Sequence, residues 1–112
     1  MASFGVGGRD VVVEAAVFRG LVDLMLDHPG LDADAVRLLT DERDAGALTL
    51  DVVDPPARHQ LEAALREAAE RAIGGQRSAR SGEDVAAPDR LVEGGHAVRA
   101  LFDAPDSSHR RS

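Results

Sequence analysis

Carboxylates are the commonest reactive side chains in this chain, and nine of the 20 fall in one window that holds almost no balancing arginine. Between Asp23 and Asp54, nine acidic residues (Asp23, Asp27, Asp32, Asp34, Asp41, Glu42, Asp44, Asp51 and Asp54) stand against Arg37 and Arg43, so this window alone carries the −7 of the whole 112-residue chain. Acids this dense can ligate a hard cation, share a proton in acid–base chemistry, or present a negative field to a partner. A calcium loop needs ligands in ordered positions around a central glycine, ending in glutamate, and Asp32, Asp34, Asp41, Glu42 and Asp44 lack that order. A field needs only concentration: like charges held together tend to cost stability, but they speed encounter with a complementary surface. These five residues are therefore the expected partner-binding set, and the expected partner is a protein with a basic surface.

Other catalytic material is sparse. Thr40, Thr49, Ser78 and Ser81 have no nucleophile elbow or catalytic box around them. His28, His59, His96 and His109 form no pair at helical ligand spacing, so no metal site is expected. His59 could act as an acid or base, but a histidine on a helix surface needs no such role. Gly5-Val6-Gly7-Gly8-Arg9 has glycines able to turn successive amides inward beside an arginine. It lacks the dinucleotide spacing and the Lys-Ser/Thr ending of phosphate loops, and no strand is expected before it. The run Gly30-Leu31-Asp32-Ala33 resembles a helix start of acyl carrier proteins, yet position 33 is alanine and no serine lies nearby to carry an arm. No catalytic residue and no cofactor follow from these patterns.

Glu14 has two readings that depend on where its helix begins. If the helix starts at Val11, Glu14 falls among Phe18, Leu21 and Met25, a candidate buried polar group with a raised pKa. If it starts near Glu14, the carboxylate sits in water at the positive end of the helix.

All 13 basic residues are arginine, and lysine, asparagine and cysteine are absent. That bias suits a GC-rich, bacterial genome. The absence of cysteine removes disulfides and thiolate metal sites and fits a cytoplasmic protein. Phe4, Phe18 and Phe102 are the sole aromatics, which leaves little for base stacking, and the acidic window repels duplex DNA, so no nucleic-acid partner is expected. No stretch approaches the ~18 uncharged apolar residues of a membrane span, so a soluble chain without a membrane partner is expected.

The elements that must position these groups are mostly helical. Val11 to Leu26 is the most apolar run, with Val17, Phe18, Leu21, Val22, Leu24 and Met25 on one side and Arg19, Asp23 and Asp27 on the other. Val11-Val12-Val13 could instead be a short strand feeding that helix. Asp32 is a fit N-cap for a second helix, which should end near Thr40, because Asp41, Glu42 and Asp44 would oppose the negative end of the macrodipole. Residues 41–46 are then a loop. Leu48 to Val53 alternates as a strand and enters a long helix through Asp54, Pro55 and Pro56; Ala57, Leu61, Ala64, Leu65, Ala68, Ala72 and Ile73 give that helix an alanine-rich face, and Gly74-Gly75 ends it. Such a face admits close approach by another helix. Pro88 opens a last helix to Asp103, against the rival of a hairpin at Gly94-Gly95, and a hairpin between residues 36–40 and 48–52 is the rival for the middle of the chain.

The expected fold class is mainly α, with α+β as the variant: a small bundle of about four helices with one or a few short strands. The expected organisation is a flexible glycine-rich leader over 1–8, a single domain over 9–104 with a flexible linker at 74–87, and a disordered tail over 105–112. If the strand over 48–53 finds no partner in its own chain, it should pair with a second copy, so a homodimer is a candidate state. The expected function is protein–protein interaction of a regulatory, adaptor or inhibitor (immunity) type. The alternative is a small enzyme or a ligand- or metal-binding subunit using buried or clustered carboxylates. A shallow acidic face beside exposed apolar residues would favour the first, and a deep pocket with converging polar groups the second.

Overall fold

The computed structural model describes residues 1–79 and 86–103. In chain order the elements are strands Ala2–Val6 (β1) and Arg9–Val13 (β2), helices Ala15–Leu26 (α1) and Ala33–Ala45 (α2), strand Ala47–Thr49 (β3), a 3-10 turn over Leu50–Val52, and helices Pro55–Ile73 (α3) and Pro88–Asp103 (α4). Four helices and a three-stranded sheet make a mainly α, small α+β fold.

The sheet begins with residues expected to be a flexible leader. β1 is its middle strand, in the order β2-β1-β3, antiparallel to β2 and parallel to β3. Gly7 and Gly8 close the hairpin at φ 61° and 80°, the positive φ at both positions that a two-residue hairpin turn requires. Phe4 is fully buried and its ring lies 4.8 Å from that of Phe18 on α1. Composition suggested mobility because glycines dominate the segment, but those glycines make the turn, and Ala2, Phe4 and Val6 carry the burial. Val11–Val13 takes the strand alternative, so α1 starts at Ala15.

α2 runs to Ala45, five residues past its expected end, so Asp41, Glu42 and Asp44 are helical and not in a loop. Two features outside the local charge pattern hold this extension. Arg43 reaches Asp23 on α1 with bonds of 2.8 and 3.2 Å, and Gly46 ends the helix in the left-handed region at φ 81°, its amide donating to the Glu42 carbonyl. Opposing the macrodipole costs ~0.3–1 kcal/mol per charge, less than removing a partner from a largely buried ion pair would cost. With residues 36–40 helical, the rival mid-chain hairpin does not form.

β3 is shorter than expected, because the chain winds into the 3-10 turn at Leu50. It also has a partner: Ser3, Phe4 and Gly5 pair with Ala47, Leu48 and Thr49, so the unpaired strand that motivated a homodimer is satisfied within the chain. α3 matches its expected span, with Pro55 at its start, although Asp54 makes no side-chain capping bond. α4 is a helix, and its Gly94-Gly95 pair lies inside it. A Cβ at Gly95 would stand 2.7 Å from the Ala69 carbonyl oxygen, and one at Gly94 2.3 Å from Val17 Cγ1, so both glycines are where α4 presses onto the alanine face of α3 and onto α1. Of the expected linker, residues 80–85 lie outside the described residues, as does the expected tail at 105–112; Ser78 and Ala86, on either side of the gap, are buried.

Candidate functional site

The acidic window folds into groups with different tasks. Asp23, expected on the polar side of its helix, is buried at 2% exposure and held by Arg43. It is the buried carboxylate of the described residues, and Glu14 is not. Glu14 takes the N-cap position of α1, half exposed, and pairs with Arg90 of α4. The sequence could not separate the two because burial of Asp23 depends on Arg43, 20 residues later.

Asp51 is the second carboxylate taken up by the fold. Its Oδ1 accepts from the Gly7 amide and its Oδ2 from the Gly8 amide, each at 2.8 Å. The glycine run therefore does cradle an anion after a strand, and the anion is the chain's own carboxylate, 43 and 44 residues away. This clamp ties the hairpin turn to the 3-10 turn that precedes α3.

Asp32 is the third. Its Oδ1 accepts from the Ala35 amide at 2.9 Å as the N-cap of α2, and Gln60 of α3 donates to its Oδ2 at 3.2 Å while accepting from the Asp32 amide at 2.9 Å. The Ala35 amide, then the Gln60 side chain, hold its carboxyl below the ordinary aspartate value, against a smaller opposing effect of desolvation. Asp32 is thus ionised and fixed in place.

Around this fixed Asp32 lies a shallow groove of about 520 Å³, with Leu38, Val52, Val53, Pro56 and Ala57 as its apolar lining and Asp32, Asp34 and Asp54 as its acids. A narrower extension of about 190 Å³ shares Leu38, Val52 and Val53 and continues past Glu42 to Ala47, Leu48 and Thr49. Of the five expected partner-binding residues, Asp32, Asp34 and Glu42 line this groove, whereas Asp41 and Asp44 are exposed on α2 without lining it. Val52 is 82% exposed. A strand running to Val53 would have hidden this residue in the alternation; the 3-10 turn at Leu50 turns it outward instead. Val52, Val53 and Leu38 are the site residues that sequence reasoning missed, and the alternation gave no signal of them, because Asp51 fits the polar position of a strand as well as it fits the turn.

The remaining candidates are dispersed. His59 lies in a small surface depression with Glu62, Ala63 and Arg66, His96 is exposed, and His28 meets Glu67 of α3 from the end of α1. Among the described residues, no three His, Asp or Glu side chains gather to hold a metal ion, and no helix is long and apolar enough to cross a membrane. Comparison with protein-family models, with curated proteins and with solved structures finds no match.

Proposed function

We propose that this chain acts by protein–protein interaction, as a regulatory, adaptor or inhibitor-type protein whose groove receives a basic surface bearing apolar side chains. The observation that carries this reading is the apolar floor of exposed Val52 and half-buried Leu38 and Val53, bordered by Asp32, Asp34, Asp54 and Glu42. An apolar centre with a charged rim is the anatomy of an interface: the centre supplies desolvation and the rim supplies register and encounter rate. The placement of the acids supports the same reading. Glu42 stands on the groove wall in the last turns of α2, where the helix dipole disfavours it, and Asp41 and Asp44 add to the negative field beside it without lining the groove. The enzyme or ligand-subunit alternative would draw on buried or clustered carboxylates; Asp23 has its charge taken up by Arg43, and among the described residues no three acids gather to hold a metal ion.

The test is to isolate the partner on the tagged wild-type chain and compare its association with a variant carrying Asp34→Asn and Glu42→Arg. Neither change removes the Asp32 cap or core packing, so the melting curve should hold. The association rate should fall by about tenfold or more, and its salt dependence should flatten, because the rim steers encounter. A rate equal to wild type at both low and high salt would place the contact elsewhere.

A further inference from the structure

Resting on the docking reading above, we infer that the partner enters the groove as an extended basic segment that adds to the outer edge of β3 as a fourth strand of the sheet.

β3 is an outer strand, bonded to β1 on one side. The narrow part of the groove follows its other side. Ala47, Leu48 and Thr49 all line it, although Leu48 faces the core and the other two face outward, and no residue of β1 or β2 takes part. Residues from both faces of one strand meet along its edge. The opposite wall is α2, through Leu38 and Glu42, and Val52 and Val53 lead on into the wider part. The groove is therefore a trough between a helix and a strand edge that no strand among the described residues pairs, the shape that receives a peptide by strand addition.

Two contrasts single out this edge. Strand edges are ordinarily guarded by charge, proline, bulges or short length, and β3, at three residues, keeps only the last of these. The other edge, β2, carries Arg9 and Asp10, while β3 is the uncharged Ala47-Leu48-Thr49. The occupant's charge follows from the walls, since Glu42 flanks the strand and Asp34, Asp32 and Asp54 flank the wider part. A second copy of this chain would bring the same acids against themselves, and a nucleic acid would bring phosphates, so an arginine- or lysine-bearing protein segment is the fitting occupant. In a strand, side chains alternate, so one set can rest on Leu38, Val52 and Val53 while the other meets the acids. Asp51, clamped to the hairpin turn, holds the Val52 end of the trough in position.

The experiment titrates the isotope-labelled full chain with an eight-residue peptide of alternating arginine and valine. Two forms of it N-methylated at alternate amides, one set or the other, and a form of equal length and charge N-methylated at every amide serve as comparisons. Strand addition predicts that the amide signals of Ala47, Leu48 and Thr49 shift. One methylated form should bind about tenfold or more weaker, while the other is tolerated, because alternate amides face opposite edges. Equal binding by both alternately methylated forms, or by the form methylated at every amide, would overturn strand addition and leave the acidic docking face standing. No binding by any peptide would also overturn it, and the charge variant measured with the isolated partner decides the docking reading separately. Light scattering that shows a dimer broken by charge reversal at Glu42 would assign the edge to a second copy and overturn the inference as well.

Discussion

Asp51 and Asp32 show how single carboxylates can hold elements that the sequence leaves far apart. Asp51 makes two charge-assisted bonds to glycine amides that would otherwise face water. Bonds of this kind contribute modestly when exposed, so Asp51→Ala should lower stability by about 1–2 kcal/mol in chemical denaturation and speed exchange of the Gly7 and Gly8 amides. Loss of stability without faster exchange at those glycines would mean that the clamp is not what the substitution removes. Asp32 gives a pH signature. Its carboxyl is depressed in the folded state by the Ala35 amide and Gln60, so its contribution is present above the unfolded aspartate value and is lost as pH falls through the lower folded one. Asp32→Asn retains a capping oxygen but cannot titrate. On acidification below about pH 4, the wild type should therefore lose more stability than Asp32→Asn, as read by denaturation at a series of pH values.

Among the elements, α4 depends on glycine for closeness and not for flexibility. Alanine is favoured over glycine in a helix by about 1 kcal/mol, yet a Cβ at Gly95 meets backbone oxygen at 2.7 Å and Ile73 Cγ1 at 3.0 Å. Overpacking costs ~1–3 kcal/mol, so Gly95→Ala should destabilise the chain on balance and lower its melting temperature. A rise in melting temperature would show that α3 and α4 can separate freely. The alanine face of α3 and the alternation of Leu48 and Thr49 were both readable along the chain, because each is set by side-chain period. The far end of α2 was not readable, because Arg43 finds Asp23 and Gly46 finds its left-handed turn only once α1 is in place.

For the whole molecule, the first strand is the test of cooperativity. β1 supplies the bonds of both β2 and β3 and buries Phe4 against Phe18. Removing residues 1–6 should therefore abolish a cooperative thermal transition, since burial of one phenylalanine alone is worth about 3–5 kcal/mol and two strands lose their partner. A dispensable leader would leave the transition unchanged. The same strand sets which edges of the sheet are open, so the proposed trough exists only because the N-terminal residues sit at the sheet centre.

The sequence by itself determined that helices form in these four places and, through Asp32, Pro55, Gly74-Gly75 and Pro88, where α2, α3 and α4 begin and where α3 ends. It also determined that Val17, Phe18, Leu21, Val22, Leu24 and Met25 of α1 are buried and where the negative charge collects. These are local properties, fixed by the hydrophobic period and by caps within a turn or two. Tertiary structure decided what depends on partners remote in the chain: that Ala2–Val6 is a central strand, that Asp23 and not Glu14 is the buried acid, that Asp51 fills the glycine turn, and that Val52 faces outward beside Asp32, Asp34 and Glu42. A carboxylate has the same local signature whether it ends in water, on Arg43 or on two glycine amides, and the choice is made by the distant group that arrives to meet it.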